Sequence, residues 1–412
     1  MGIDIKKFPG YMEEVIKWCV FAVLFAVPFS KSISEIAITL AILCLVLKKI
    51  FLREAKVDIN YPQIALILFA LAAVPSLFLS AFPELSYRAF FTKHLKFIFF
   101  YFVIIDTFKK REQFIQFFVV AIVSIYLITI DGLVQLYITG VDLLHKYPVF
   151  KARVAGDADG LFRGFPTASF PYPNDLAAWI LLLLFPAVTI AIFGLNKRPI
   201  RHLVAAGSIL LCYLLFFTKT RGAWVAAACG FIFIAITKKR LWLIILLVLV
   251  LAAPFILRME MARYILGTTS LGDRASMWGT SWEIFKQHPV IGNGINTFFR
   301  HYMNMRTDAF QHLKGSYAHN CYLQMAADIG IVGLGAFLAM LLAHALSVNK
   351  ALKKIKDPLF NAALFGMAVG LAAFLMHSAS DTNLYSLNLV TLFWTFLGVT
   401  QAIVRAASDE SR

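Results

Sequence analysis

Three polar segments between long apolar runs hold the residues best suited to act on a charged ligand. Thr218–Trp224 contains Arg221, Ser270–Trp278 contains Arg274, and the third segment begins at His319. Guanidinium groups form paired hydrogen bonds to phosphate, and imidazole exchanges a proton near neutral pH. Such groups are costly at a membrane surface unless they serve a function. They predict a site for an anionic lipid substrate, with one side chain able to move a proton.

The composition predicts the elements that hold these residues. The chain has 412 residues, of which 60% are hydrophobic and 15% charged, whereas soluble domains are roughly half apolar and a quarter charged. Apolar runs recur at the length that a bilayer requires, which predicts an all-α polytopic membrane protein with about twelve transmembrane helices and cytoplasmic termini. The predicted spans are 14–31, 33–50, 61–80, 88–107, 112–138, 175–195, 202–219, 222–237, 240–257, 320–347, 358–379 and 384–405.

The net charge of +16 invites comparison with nucleic-acid-binding proteins. Its basic clusters, such as Lys109–Arg111 and Lys238–Arg240, instead occupy short gaps between apolar runs. This distribution follows the positive-inside rule, so membrane lipids are the expected partners and nucleic acid is not. The five cysteines lack metal-ligand spacing, and no metal site is predicted. Gly366 and Gly370 are expected to serve helix packing, and so are Gly330, Gly333 and Gly335.

Two outward loops, 139–174 and 258–318, carry excess positive charge on the side where topology disfavours it. The second contains an amphipathic pattern that starts at Ser270, includes Trp278 and ends before Pro289. This pattern predicts an interfacial helix on the bilayer. Arg274 in its first turn can direct its guanidinium at a phosphate, or it can extend from the membrane surface to water.

Alternative interpretations stay open for several polar residues. Arg221 can equally cap a helix. Asp157 and Asp159 can ligate a divalent cation, although the flanking glycines favour a solvated turn. Three further outward histidines are expected to be structural: His288, His301 and His312.

Taken together, these segments resemble the O-antigen ligase family of bacterial envelope glycosyltransferases, which also contains O-antigen polymerases and protein O-oligosaccharyltransferases. The resemblance is strongest over about 217–335. It implies a GT-C-like architecture with a large helical periplasmic loop, and inverting transfer without cofactor or metal at the outer face of the inner membrane. It also implies a glycan donor on undecaprenyl diphosphate. The residues that carry it are Thr218-Lys-Thr-Arg221-Gly-Ala-Trp224, Arg274-x-x-x-Trp278, His288-Pro-x-x-Gly-x-Gly294, His319-Asn320-x-Tyr322 and Gly330-x-x-Gly333.

The resemblance also implies roles for individual residues. Arg221 and Arg274 would bind the donor diphosphate, and His319 would take or orient the proton of the acceptor hydroxyl. Further candidates for contact with the diphosphate or the acceptor are Arg88, Lys93, Lys219, Trp278, Asn320 and Tyr322. For Arg88 and Lys93 the alternative is a cation that merely reaches the membrane surface.

The acceptor distinguishes the activities within this family. One dominant outward loop favours ligation to lipid A–core, with polymerisation and protein glycosylation as alternatives. A transporter would concentrate ionisable groups near the midplane. Here the charges lie at the outer mouth, and Asp131 and Asp328 are the few deep acids. Glycan transfer is therefore favoured over transport.

Overall fold

A computed structural model describes residues 8–53, 59–149, 164–240, 269–305 and 317–409. Within these ranges the chain is helical, and the only β-type pairing described is an isolated bridge between Val141 and Pro148. The all-α prediction is confirmed. The helices are α1 (Phe8–Ala26), α2 (Lys31–Leu52), α3 (Tyr61–Ala72), α4 (Pro75–Phe78), α5 (Pro83–Ala89), α6 (Lys96–Thr107), α7 (Arg111–Val134), α8 (Pro173–Thr189), α9 (Arg198–Phe217), α10 (Arg221–Thr237), α11 (Thr269–Gln287), α12 (Phe298–Met305), α13 (Cys321–Leu352), α14 (Pro358–His377) and α15 (Leu387–Asp409). Single π-helical segments follow α5, α7 and α8, at Phe90–Leu95, Gln135–Thr139 and Ile190–Gly194.

In the described part of the chain, 7 helical stretches are long and apolar enough to cross a membrane. Helix α10 is apolar but shorter. The predicted span at 240–257 lies outside the described residues. A multi-pass membrane protein is therefore supported. The count of about twelve spans, which rests on the helix length that a bilayer requires, stays a prediction. The GT-C-like architecture also stays a prediction. The 7 stretches are Tyr61–Phe78, Arg111–Thr139, Pro173–Gly194, Arg198–Phe217, Cys321–Leu352, Pro358–His377 and Leu387–Ser408.

Helix α8 lies at the centre of the bundle, with almost every side chain buried, and packs along α14. Gly366 and Gly370 make this close approach possible, since a Cβ on Gly366 would lie 2.6 Å from the Cα of Pro186. Thr189 Oγ1 donates to the Ala362 carbonyl at 2.8 Å. The packing role predicted for this glycine pair is confirmed.

Helix α13 is broken at Gly330, whose φ of 69° and ψ of −177° are not helical. The prediction that Gly330 serves helix packing is therefore wrong, because Gly330 is the point at which the helix breaks. The loop before α12 fills the break. The N–H groups of Asn293 and Gly294 each donate at 2.9 Å, to the carbonyls of Ala327 and Asp328 respectively.

The bonds across this break run in both directions. Beyond it, the N–H of Ile331 donates to the Pro289 carbonyl at 2.9 Å. The backbone of the loop and the backbone of α13 lie so close together that no side chain fits between them. A Cβ on Gly292 would lie 2.5 Å from the Asp328 carbonyl carbon, and one on Gly330 would lie 2.5 Å from Ile291 N. The two glycine-containing segments seen in the sequence thus form one hydrogen-bonded unit.

Helix α11 packs against α13 and ends at Gln287, before Pro289 as predicted. Its buried face is formed by Met277, Ser281 and Ile284, whereas Trp282 is exposed. The described part of the 258–318 loop therefore consists of α11, α12 and the segment between them, and α11 is docked on the bundle. Its position on a bilayer stays a prediction.

Candidate active site

Asp381, in the connection between α14 and α15, collects side chains from three distant parts of the chain. Its carboxylate is 5% exposed and lies 3.4 Å from His319 Nδ1. Arg274 Nη2 lies 3.9 Å away, and His377 Nε2 lies 4.0 Å away. One buried anion therefore connects the loop helix α11, the start of α13 and the end of α14.

His319 is held by the start of α13. Asn320 is the N-cap of this helix, and its Oδ1 accepts hydrogen bonds from the backbone N–H groups of Tyr322 at 3.1 Å and Leu323 at 3.0 Å. The residue before the cap, His319, has a φ of 50°, in the left-handed region. Non-glycine residues at positive φ store strain and cluster at functional sites. His319 therefore occupies a fixed and unusual backbone position, with its side chain 39% exposed.

Two further bonds attach the start of α13 to the connection that carries Asp381. The backbone N–H of Cys321 donates to the Ser378 carbonyl at 2.9 Å. The Cys321 thiol donates to the Asp381 carbonyl at 3.1 Å. The separation between the imidazole of His319 and the carboxylate of Asp381 is thus set by the backbone on both sides.

The charges around Asp381 determine its protonation state. Burial alone would raise its pKa. The hydrogen bond from His319, the nearby imidazole of His377 and the guanidinium of Arg274 oppose this effect, and they hold the pKa of Asp381 well below its usual range. The group is therefore ionised at neutral pH and can only accept hydrogen bonds. His319 therefore donates from Nδ1, and in the neutral tautomer with this bond the lone pair lies on Nε2.

A second chain of hydrogen bonds reaches Asp381 from α8 and α10. Asn174 Nδ2 donates to the second carboxylate oxygen of Asp381, and Thr220 Oγ1 donates to Asn174 Oδ1 at 3.0 Å. Arg221 follows Thr220 as the first residue of α10. The next residue, Gly222, faces His377, because a Cβ there would lie 3.1 Å from the ring carbon Cδ2. Arg221 is thus brought to the same region as Arg274 and His319.

A cavity of about 940 Å³ opens beside these residues. His319 lines it together with three lysines, Lys31, Lys93 and Lys219, and with three aspartates, Asp175, Asp328 and Asp381. The remaining lining is rich in aromatic side chains: Phe69, Phe97, Phe337, Phe393, Trp394 and Tyr385. The cavity is thus suited to a ligand with both anionic and apolar parts.

The other predicted site residues differ in what their side chains contact. Trp278 Nε1 donates to the His319 carbonyl at 3.4 Å, so it supports the backbone that carries the imidazole. The Tyr322 hydroxyl donates to the Leu375 carbonyl at 2.8 Å. Arg88 is exposed on α5 and lies outside the cavity lining. The binding roles of these residues and of Asn320 stay predictions.

Sequence reasoning missed the central carboxylate and two of its partners, Asn174 and His377. A signal was present. The segment 377–383 is a polar interval between two predicted spans, and counting spans puts it on the same side of the membrane as His319. The dipeptide Asn174-Asp175 likewise begins a predicted span on that side.

Across the described ranges, no group of three or more His, Cys, Asp or Glu side chains is arranged to hold a metal ion. Asp157 and Asp159, the predicted alternative ligands, lie outside those ranges, as does His312. The expectation of a metal-free site stays a prediction.

Comparison with known proteins gives one result. Residues 205–338 match the family model described as O-antigen ligase. This segment contains Arg221, Arg274 and His319, whereas Asp381 lies beyond it. No curated protein is significantly similar to the chain. The resemblance to the O-antigen ligase family is therefore confirmed over residues 205–338.

Proposed function

We propose that the chain is an inverting, metal-independent glycosyltransferase at the periplasmic face of the inner membrane. It moves an O-antigen glycan from undecaprenyl diphosphate to a sugar hydroxyl of lipid A–core. The family supports the coarser part of this statement, an O-antigen ligase or polymerase acting on glycan and lipid substrates. One observation carries the finer part: the His319–Asp381 pair borders a cavity whose lining combines lysines, which can pair with a diphosphate, with aromatic side chains.

The donor combines a diphosphate with a long apolar chain. Arg274 touches Asp381 through one nitrogen atom at 3.9 Å, and its side chain is 27% exposed. A guanidinium has five N–H donors, so this contact leaves others to bind phosphate oxygens. Arg221 and Lys219, at and just before the start of α10, add positive charge. Matching the diphosphate charge makes undecaprenyl diphosphate a better leaving group.

The proton of the acceptor is assigned to His319. Nε2 takes it as the acceptor oxygen forms a bond to the anomeric carbon, and the bond from that carbon to the diphosphate oxygen breaks. Attack from the face opposite the leaving group inverts the configuration. Asp381 then stabilises the imidazolium that forms, because its carboxylate accepts from Nδ1. General-base catalysis of this kind contributes roughly 10²–10⁴-fold to turnover.

Transfer in vitro tests the proposal. Purified protein is mixed with undecaprenyl-diphosphate-linked glycan, with or without lipid A–core, and products are identified by mass. We expect glycan-bearing lipid A–core, with little product from His319→Ala. His202→Ala is the matched control, since this histidine is exposed on α9. Elongated donor glycan in the absence of lipid A–core would instead identify a polymerase.

A further inference from the structure

A second polar cluster, formed by Lys93, Asn296 and Asp328, lines the same cavity. Lys93 Nζ donates to Asn296 Oδ1 at 3.1 Å, and the Asn296 backbone N–H donates to Asp328 Oδ2 at 3.3 Å. Lys93 comes from the π-helical segment Phe90–Leu95, an irregularity often found at functional sites. Three separate elements thus bring a cation, an amide and a carboxylate together.

The carboxylate of this cluster is not saturated. Asp328 is 3% exposed, and its Oδ1 accepts no hydrogen bond of normal geometry from the described residues. The Tyr385 hydroxyl and the backbone N–H of Phe298 are neighbours of the carboxylate, but neither forms a hydrogen bond of normal geometry with Oδ1. A buried polar atom without a partner costs free energy, and such an atom in a native site needs an explanation. Because Asp328 lines the cavity, a ligand can supply the missing partner.

We propose that Lys93, Asn296 and Asp328 bind hydroxyl groups of a substrate sugar. This inference rests on the proposed function and assigns a subsite within it. A hydroxyl both donates and accepts, so it can donate to Asp328 Oδ1 and accept from the amide of Asn296 or the ammonium of Lys93. A carboxyl group can bond a hydroxyl whether ionised or protonated.

The other parts of the donor fit this cluster less well. A diphosphate offers only acceptor oxygens at neutral pH, so it has no hydrogen to donate to Asp328 Oδ1. An isoprenoid chain forms no hydrogen bonds and would leave Oδ1 without a partner. The sugar is therefore the part whose chemistry matches all three side chains.

The position of Asp328 also indicates which sugar is bound. It lies eight residues beyond Asn320, and thus roughly 12 Å along α13 from the end that carries His319, at 1.5 Å per residue. A sugar held at Asp328 is therefore not the ring that reacts at His319. It is a neighbour of that ring, either in the donor glycan or in the acceptor core, so this subsite selects substrates by a sugar remote from the reaction.

Binding of three probes to the detergent-solubilised protein tests the assignment. The probes are undecaprenyl diphosphate, the same lipid carrying its glycan, and lipid A–core. In Asp328→Asn, the new side-chain oxygen keeps the bond from Asn296 N if it occupies the position of Oδ2. The NH₂ group then occupies the position of Oδ1, so a donor replaces the acceptor there. We expect binding of one sugar-bearing probe to weaken about 10- to 100-fold, the effect of losing a hydrogen bond to a charged group. Binding of undecaprenyl diphosphate should not change.

Two further variants complete the design. Asn296→Gly removes the side-chain amide, suits the φ of 61° at this position, and keeps the backbone N–H that donates to Asp328. It should give the same pattern, and it decides the question if Asp328→Asn fails to fold. Asn388→Leu is the control, because Asn388 also has a buried oxygen without a described partner but lies outside the cavity.

The outcomes separate the possibilities. Weaker binding of the glycan-bearing donor alone places the subsite on the donor, and weaker binding of lipid A–core alone places it on the acceptor. Equal weakening of both undecaprenyl lipids would assign the cluster to the diphosphate and overturn the proposal. Unchanged binding of all three probes would also overturn it, and would leave the cluster a structural role. The binding measurements do not require turnover. A wild-type protein that fails to transfer glycan would therefore contradict the proposed function, while the binding measurements would still decide whether the cluster holds a sugar.

Discussion

Replacing Asp381 with asparagine removes one negative charge from the point where Arg274, His319 and His377 converge, and it changes little in shape. The amide can still accept from one neighbour through its oxygen. Its NH₂ group, however, would face another donor where the carboxylate had offered an acceptor. His319 would then lose the group that fixes its proton on Nδ1, so Nε2 would no longer be held as the base.

The magnitude follows from the distances around Asp381. At 3.9 Å, the pair formed by Arg274 Nη2 and the carboxylate is worth about 4 kcal/mol at an effective dielectric constant of about 20. Because the Arg274 side chain is 27% exposed, solvent screens part of this interaction. We expect the free energy of unfolding to fall by about 2 kcal/mol after this discount. The loss of turnover should be larger, roughly 10²–10⁴-fold, as for other histidine bases deprived of an orienting carboxylate.

The assay compares initial rates of glycan transfer at saturating donor with the binding of undecaprenyl diphosphate. Asp381→Asn should lower the rate with little change in donor affinity. Asp142→Asn is the matched control, because Asp142 is also buried and lies 3.6 Å from a histidine, His145 Nδ1, outside the cavity. A folded Asp381→Asn protein with a wild-type rate would refute the role of Asp381 in orienting His319.

The pH dependence of stability gives a second test. The native pKa of Asp381 lies below its unfolded value of about 4, so its contribution is fully present above about pH 4 and is lost as the pH falls towards the native value. The wild-type melting temperature should therefore fall more steeply below about pH 4 than that of Asp381→Asn. Asp381 should contribute no change in turnover between about pH 5 and 8. Parallel melting curves for the two proteins below pH 4 would contradict the lowered pKa.

Four further predictions concern the site and the helix that carries it. Arg274→Lys should lower transfer at least about tenfold because the paired N–H fork is lost, and a wild-type rate would remove that part of the role. His319→Ala should lower turnover roughly 10²–10⁴-fold while donor binding persists; loss of donor binding would reassign this residue to the diphosphate. Transfer should continue in EDTA, and activity lost there but restored by magnesium would overturn the metal-free mechanism. Gly330→Ala should destabilise the protein by about 1–3 kcal/mol, whereas Gly335→Ala, which meets nothing within 4 Å, should not lower the melting temperature.

Local features of the site were predictable from sequence because they depend on neighbours in the chain. An asparagine directly before an apolar run is a sequence signal for a helix N-cap, and Asn320 bonds the N–H groups two and three residues onward. The end of α11 before Pro289 follows from the lack of a donor at proline. Both features involve only a few consecutive residues, so the sequence pattern is sufficient to find them.

Features that depend on distant contacts were not predictable in the same way. The pairing of Asp381 with His319 joins residues 62 positions apart, and no local pattern marks that acid among the polar residues around it. The break at Gly330 is similar. A glycine within an apolar run suggests close helix packing, and only the loop at 288–294, far back in the chain, turns it into a break. The cavity, the lysines that line it and the role of Asn174 are likewise products of tertiary packing.

The break in α13 also constrains the order in which the protein can fold. In lipid, each backbone group without a hydrogen bond costs several kcal/mol, so α13 cannot settle into its bent form with the carbonyls of Ala327 and Asp328 unpaired. The loop at 288–294, which donates hydrogen bonds to these carbonyls, leaves the ribosome before α13 does. It has no helix to dock on until α13 is in the membrane. Docking of the loop and completion of α13 must therefore be one cooperative step late in assembly.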